Sequence, residues 1–206
     1  MGSLLSRSVE IQISNNTQNI TLRNPRTFFD CGRCSKPPLP ELFPGSSDIC
    51  HFPGDFPFWG VAGILVYEAD SFTLAIHFSN PIDYNKFSME LGLELSPGRA
   101  HLDSLGTTYA RMAKGTYSSS CLDIKFTRVV VGRSHGTAQL SHGPVMVMAT
   151  MSRNTSSTIK VVLKEQRGSG EEGGEEAPQD GVRNRSRRSE NLLDFDWDVK
   201  ENPGSA

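Results

Sequence analysis

Hydrophobic and polar residues alternate along the start of the chain in the way that is typical of a half-buried β-strand. Val9, Ile11 and Ile13 alternate with polar residues over 9–14, and the alternation resumes over 20–22 after an Asn-rich turn. Two continuous apolar runs, GILVY and FTLAIHF, come later and are joined by the short polar link EADS. Two such runs predict a buried β-hairpin.

The second run of this hairpin ends at a proline, and a loop leads from there to a third apolar run. Pro81 removes a backbone donor and restrains the residue before it to an extended conformation, so the strand must end there in a defined loop. The loop carries Tyr84, Asn85 and Phe87 and leads into the run over 89–95. Aromatic and amide side chains on a rigid loop at the rim of a sheet indicate a binding edge rather than a catalytic centre.

The second half of the chain predicts one or two helical turns, over 101–114, and then further strands. Those strands are expected at 122–131, 137–140, 145–151 and 158–164. Residues 30–58 are expected to be irregular because prolines and glycines interrupt them repeatedly. Short, closely spaced strands with little helical periodicity predict an all-β fold, a compact β-sandwich flanked by one or two short helices.

Composition divides the chain of 206 residues into a globular part and a tail. The predicted parts are a short lead, a sandwich domain and a tail, at 1–8, 9–166 and 167–206. Over 165–206 there are 11 acidic and 6 basic residues, a net charge of −5, and over 1–164 there are 12 acidic and 15 basic, a net charge of +3. The Gly- and Glu-rich tail is predicted to be disordered because it cannot bury enough apolar surface. The weak positive charge of the domain argues against a nucleic-acid partner.

The hairpin and its loop resemble the core of the actinoporin family. The segments GVAGILVY at 60–67 and TLAIHFSNPIDYN at 73–85 are similar to a Gly-rich strand, a second strand and a P-x-DYN loop of that family. With matching segments on both sides, the resemblance covers about 9–165, and Cys50-His51-Phe52 is closer to the vertebrate, lectin-like relatives than to the sea-anemone toxins. The resemblance implies a β-sandwich flanked by short helices, in agreement with the strand pattern.

This resemblance also implies a binding site for a membrane lipid headgroup or a glycan. Toxins of the family hold sphingomyelin or phosphocholine headgroups in a small pocket. The residues implied for the site in this chain are Ser79, Pro81, Tyr84, Asn85, Phe87 and Tyr109. In an ungapped comparison the family's tyrosine cluster falls on Thr107, Arg111 and Met112, so Tyr109 is included on a register shift of one or two residues. Each ring face that holds a quaternary ammonium contributes about 0.5–2 kcal/mol, so the loss of rings predicts weak phosphocholine binding.

Toxins of the family also insert an N-terminal amphipathic helix and oligomerise into a pore. Only residues 1–8 precede the first predicted strand, whereas a helix that spans a ~30 Å apolar core needs about 20 residues. The expected function is therefore peripheral membrane association through the loop at 79–87, where oligomers could form on the membrane. A pore-forming cytolysin that acts on sphingomyelin-containing membranes is the alternative.

Two short motifs outside the predicted sandwich bear on location and partners. Gly2 and Ser6 fit an N-myristoylation pattern, although an ordinary chain start has the same form. In the tail, a clathrin-box pattern suggests an adaptor such as clathrin as a partner. The alternative is a disordered end that binds non-specifically. The residues of the pattern are Leu192, Leu193, Phe195 and Asp196. Because neither a signal peptide nor a long apolar run is found, a cytoplasmic protein peripheral to membranes is expected, with secretion to a target-cell membrane as the alternative.

Catalytic and metal-binding patterns are weak in this sequence. No catalytic residue and no cofactor is predicted, because the motifs of hydrolases, zinc proteases and phosphate-binding loops are missing. Cys31 and Cys34 form a CxxC, with Cys50 and His51 further on, but ordinary loop cysteines are favoured over a metal site. His77 lies inside a predicted strand and is interpreted as a hydrogen-bonded structural histidine.

Overall fold

The computed structural model describes residues 6–55, 58–98, 104–115, 117, 123–132 and 135–166, and within them strands dominate. The strands are β1 Ser8–Asn16, β2 Leu22–Cys31, β3 Glu41–Leu42, β4 Ser47–Pro53, β5 Val61–Glu68, β6 Phe72–Asn80, β7 Glu90–Pro97, β8 Lys125–Val130, β9 His135–His142, β10 Val145–Ser152 and β11 Ser156–Glu165. One helix is found in these ranges, α1 Leu105–Lys114. The predicted all-β sandwich with a short flanking helix is confirmed.

Two sheets form the sandwich. The five-stranded sheet has the order β4-β1-β11-β10-β9, and the six-stranded sheet has the order β3-β2-β5-β6-β7-β8. β1 and β11 pair in parallel with Ile11 opposite Ile159, and both side chains are buried in the core. Between the sheets, the rings of Phe52 and Phe78 stack with their centroids 5.4 Å apart. The alternation seen in the sequence therefore directs one face of each strand into a shared core.

The strands of the central hairpin are buried on both faces, because a helix covers part of the outer side of the six-stranded sheet. α1 begins after Ser104, whose Oγ accepts a hydrogen bond from the Thr107 N–H at 3.2 Å. It ends at Gly115, whose φ of 65° is the left-handed conformation that closes a helix without strain. Met112 points from α1 onto the sheet and is fully buried.

The expectation that 30–58 is irregular is wrong for two segments. β3 and β4 lie in this region, and β4 pairs with β1 over its whole length. Cys50 and Phe52 face the core from β4 and are almost completely buried. The prolines that suggested an irregular segment lie outside this strand, except for Pro53 at its last position, so they bound the strand rather than interrupt it.

Candidate functional site

An extra residue near the end of β2 changes which side chains face outward. Phe29 pairs with Gly63, but Cys31 pairs with Ala62, so Asp30 has no partner residue on β5. Such a β-bulge redirects the side chains that follow it. Asp30 and Cys31 consequently both line a cleft on the outer face of the six-stranded sheet.

This cleft, called the aromatic cleft below, has a volume of about 510 Å³. Its lining residues are Asp30, Cys31, Phe58, Trp59, Gly60, Val61, Ala62, Ser79, Pro81, Ile82, Phe87 and Tyr109. Ala62 and Ser79 are register partners on β5 and β6, and Tyr109 is contributed by α1. The small side chains of the hairpin leave the space that the aromatic residues surround.

Three large aromatic side chains of the cleft are exposed. The exposed fractions are 62% for Phe58, 56% for Trp59 and 63% for Phe87. Phe58 also has a φ of 70°, a conformation that costs a bulky residue about 1–3 kcal/mol and that is concentrated at functional sites. Gly60 brings this segment against the hairpin end, since a Cβ there would lie 3.0 Å from the Asn80 carbonyl oxygen.

Four of the six residues predicted for the site line the cleft, namely Ser79, Pro81, Phe87 and Tyr109. Tyr84 and Asn85 lie in the same loop but do not line it. The Asn85 side chain is exposed, and its backbone N–H donates to the Asp83 carboxylate at 2.9 Å. Sequence analysis missed Asp30, Phe58 and Trp59, although the aromatic segment before β5 is a signal that could have pointed to the last two.

Tyr84 fastens the loop to the rest of the domain. The guanidinium carbons of Arg7 and Arg153 lie 4.7 and 4.6 Å from the centroid of its ring. Its hydroxyl donates to Asn80 Oδ1 at 3.0 Å. Arg7 also donates from Nη2 to the carbonyl oxygen of Ile82, at 2.9 Å, and so holds a residue of the cleft.

Asn80 completes this anchor from inside the fold. It is fully buried, and its Nδ2 lies 3.1 Å from each of three carbonyl oxygens, those of Ser8, Asn154 and Thr155. These bonds join the end of β6 to the start of β1 and to the turn between β10 and β11. The loop that supplies Pro81 and Phe87 is therefore held on one side while its other side borders the cleft.

The electrostatic environment of the cleft is negative. Burial raises the pKa of the Tyr109 hydroxyl, and the neighbouring charge of Asp30 raises it further. Burial also raises the pKa of the Cys31 thiol, with further contributions from the charges of Asp30 and Asp55. None of the described residues that line the cleft is basic.

Cys34, Cys50 and His77 are not among the described residues that line the cleft. Cys34 is exposed, whereas Cys50 lies in the core, where burial raises its thiol pKa to about 12. Over the described ranges, no group of three His, Cys, Asp or Glu side chains is placed to hold a metal ion. His77 lies in β6 as expected, but the expected hydrogen bond is wrong, because neither ring nitrogen has a hydrogen-bond partner among the described residues. The centroid of its ring lies 5.5 Å from that of Tyr109.

Comparison with known proteins is informative at the level of structure. No family model matches the chain, and no curated protein is significantly similar to it. The crystal structure of the lipid binding protein Nakanori superposes with a TM-score of 0.57 at 14% sequence identity, over 79% of this chain and 72% of that one. At this identity the likeness shows the fold alone, and it supports the actinoporin resemblance at that level.

Several predictions concern residues that the structure does not describe. Gly2 and the clathrin-box residues of the tail lie outside the described ranges. Within those ranges, the helix is too short to cross a bilayer.

Proposed function

We propose that this protein is a peripheral membrane-binding module that holds a lipid headgroup in the aromatic cleft. The observation that carries the proposal is the exposure of Phe58, Trp59 and Phe87 around a cleft of headgroup size. Large exposed aromatic side chains that share one site indicate an interaction surface rather than ordinary surface composition. The fold shared with a lipid binding protein supports the proposal.

The chemistry of these side chains suits the interface between water and lipid. Tryptophan partitions to the headgroup level of a bilayer because its ring is apolar and its N–H is polar. Phenylalanine contributes about 25 cal/mol for each Å² that it removes from water. A cationic headgroup would gain further from the ring faces inside the cleft.

A glycan could stack on the same rings, but the cleft offers it few polar partners. The polar groups on the lining side chains are the Asp30 carboxylate, the hydroxyls of Ser79 and Tyr109, the indole N–H of Trp59 and the Cys31 thiol. Sugars present many hydroxyls that lose water on binding, and unpaired hydroxyls are costly. We therefore place the lipid headgroup first.

The first test measures membrane binding by sedimentation with vesicles that contain sphingolipids and cholesterol. We expect Phe87→Ala to weaken binding about tenfold, because the ring can no longer insert. The matched control is Phe43→Ala, which removes another exposed ring. Phe43 lies in a turn whose backbone is hydrogen-bonded to Asn15, near the last residue of β1. The end of β6 that leads into the cleft loop is bonded to Ser8, at the opposite end of β1, so Phe43 is remote from the cleft.

A second measurement tests whether Trp59 lies at the membrane interface. The variant Trp197→Phe leaves Trp59 as the single tryptophan, whose emission should shift to shorter wavelength when vesicles are added. Failure of the wild-type protein to sediment with any vesicle would contradict the proposal. Binding to immobilised glycans without binding to vesicles would favour the lectin alternative, and release of trapped dye would favour the pore-forming one.

A further inference from the structure

A short proline-rich segment, KPPLP at 36–40, runs between the edge strands of the two sheets. Lys36 forms a backbone bridge with His51 of β4, the edge strand of the five-stranded sheet. The segment then leads into β3, the edge strand of the six-stranded sheet, while residues 37–39 belong to no helix or strand. This stretch is called the proline segment below, and none of its residues is among those that line the aromatic cleft.

Hydrogen bonds to three other parts of the fold hold the backbone of the proline segment in place. The N–H of Leu39, which is flanked by prolines, donates to Oδ2 of Asp48 at 2.7 Å. The carbonyl oxygen of Leu39 accepts a hydrogen bond from the Tyr67 hydroxyl at 3.2 Å. The carbonyl oxygen of Pro40 accepts one from the Asn24 N–H at 3.1 Å. A partner that binds the segment therefore does not have to order a flexible chain.

The sequence of the proline segment favours a polyproline II helix. Each residue of 36–40 either is a proline, whose ring fixes φ at about −65°, or precedes a proline and is restrained to extended conformations. Such a helix has about three residues per turn, so residues that are three apart in sequence share a face.

Burial along the segment follows this three-residue period. Lys36 and Leu39 share one face, and both are exposed, Leu39 by 48%. Pro37 and Pro40 share the second face and are also exposed. Pro38 lies on the third face and is half-buried. Two of the three faces are therefore accessible to a partner, and the third lies against the domain.

An aromatic groove on another protein would complement these two accessible faces. WW domains and Src homology 3 domains bind polyproline II helices in grooves that are lined by aromatic side chains. The carbonyl oxygens of Pro37 and Pro38 accept no hydrogen bond from any described residue. They are therefore free to accept one from the tyrosine or tryptophan donors of such a groove.

The charge beside the proline segment indicates a further feature of the partner. The Lys36 side chain is exposed and forms no ion pair within the described part of the chain. Arg33 is also exposed, although its Nη1 lies 4.0 Å from the Asp55 carboxylate. Acidic side chains next to the groove of the partner would pair with Lys36 and increase the rate of association.

We propose that the proline segment is a docking site for a protein domain with an acidic, aromatic-lined groove that binds polyproline II helices. The proposal is independent of membrane binding, because the segment and the aromatic cleft lie at different places on the sandwich. The segment bonds to Tyr67, which is five residues further along β5 than the cleft residue Ala62, a distance of about 17 Å along the strand.

The test measures binding of the full chain to a panel of purified WW and Src homology 3 domains by surface plasmon resonance. We expect the wild-type chain to bind at least one of these domains. Pro37→Ala should weaken that binding about tenfold, because one ring is lost from the groove. Lys36→Glu should weaken it by a similar factor, because it reverses the charge that faces the acidic side chains while it leaves the prolines unchanged.

The matched control is Pro144→Ala, which removes an exposed proline from the turn between β9 and β10. β9 lies at the edge of the five-stranded sheet opposite to β4, so this variant should bind like the wild type. Melting temperatures of the same preparations show which variants are folded.

Absence of wild-type binding to every domain of the panel would overturn the proposal. Undiminished binding by both Pro37→Ala and Lys36→Glu would do the same, because the contact would then lie elsewhere on the chain. If Pro37→Ala does not fold, Lys36→Glu alone decides the outcome. Vesicle sedimentation of Lys36→Glu should match that of the wild type, and a loss there would contradict the independence of the docking site from the membrane-binding site.

Discussion

The outer face of the six-stranded sheet has two halves, one covered by α1 and one open. Each half contains a carboxylate, but one is buried and the other is exposed. In the half covered by α1, Glu94 is fully buried and receives bonds from Arg111 at 2.7 and 3.2 Å and from the Tyr117 hydroxyl at 2.6 Å. In the open half, Asp30 is exposed and lines the cleft together with Tyr109. In the covered half, the charge of Glu94 holds α1 in place through Arg111. In the open half, the charge of Asp30 remains exposed to solvent.

Burial explains why the two carboxylates differ. A charge removed from water is tolerated only when it is paired and hydrogen-bonded, so Glu94 needs both Arg111 and Tyr117. Around this network the apolar cluster beneath α1 excludes water; its residues are Ile64, Val66, Ala75 and Met112. Asp30 is exposed to water and therefore has no such requirement.

The largest expected effect comes from breaking the covered half. Arg111→Ala removes the cation beside a carboxylate that has no access to water, so we expect the free energy of unfolding to fall by about 3–5 kcal/mol. Denaturant unfolding measures this value. Arg23→Ala is the control, since Arg23 pairs with Glu41 and Asp70 at the surface and should cost less than about 1 kcal/mol. Similar losses in the two variants would mean that Glu94 does not depend on its partner.

A smaller, pH-dependent effect is expected from His77, which lies under Tyr109 between the two halves. Burial, with the nearby charge of Arg128, lowers the pKa of His77 from 6.5 to about 4. The unfolded chain therefore binds a proton that the folded protein excludes between these values, so stability is complete above about pH 6.5 and falls as the pH decreases towards 4. The loss attributable to His77 should be about 3 kcal/mol.

His77→Leu should flatten this part of the pH profile, which unfolding experiments between pH 7 and 4 would measure. His142→Leu is the control, and it should keep the wild-type slope because His142 lies in β9, on the other sheet. An unchanged slope in His77→Leu would show that other groups cause the acid sensitivity.

Local patterns were sufficient to predict most of the fold. The apolar runs of the central hairpin determine β5 and β6, because side-chain periodicity acts within a few residues. Pro81 determines where β6 ends, because it lacks a backbone N–H. β4 was missed because its alternation is short and is flanked by prolines. It is stabilised chiefly by its pairing with β1, which no local pattern reveals.

The candidate site was predicted in part for the same reason. Ser79, Pro81 and Phe87 lie close together in the sequence, so one motif could identify all three. Asp30 reaches the cleft only through a register shift between β2 and β5, and Phe58 through the packing of its segment against the hairpin end. These are consequences of tertiary structure, which a single sequence does not encode as a pattern.

The smallest expected change in stability distinguishes strain from function in the open half. Phe58 has a φ of 70° while most of its ring is exposed. The folded state therefore gains little packing energy from the side chain, whereas the strained backbone lowers the free energy of unfolding. Phe58→Gly should relieve this cost, offset by the greater entropy of glycine in the unfolded chain, for a net stabilisation of up to about 1 kcal/mol. Phe58→Ala retains a Cβ and therefore the strain, so it should not be stabilised.

Both variants lose the ring, and we expect both to bind vesicles more weakly than the wild type. If Phe58→Gly gains stability but loses vesicle binding, the strained backbone conformation serves to position the Phe58 ring for binding. Melting temperatures and vesicle sedimentation of the same preparations provide the two measurements. If Phe58→Gly were destabilised, or if it bound vesicles as well as the wild type, the strained conformation would have no connection with the cleft.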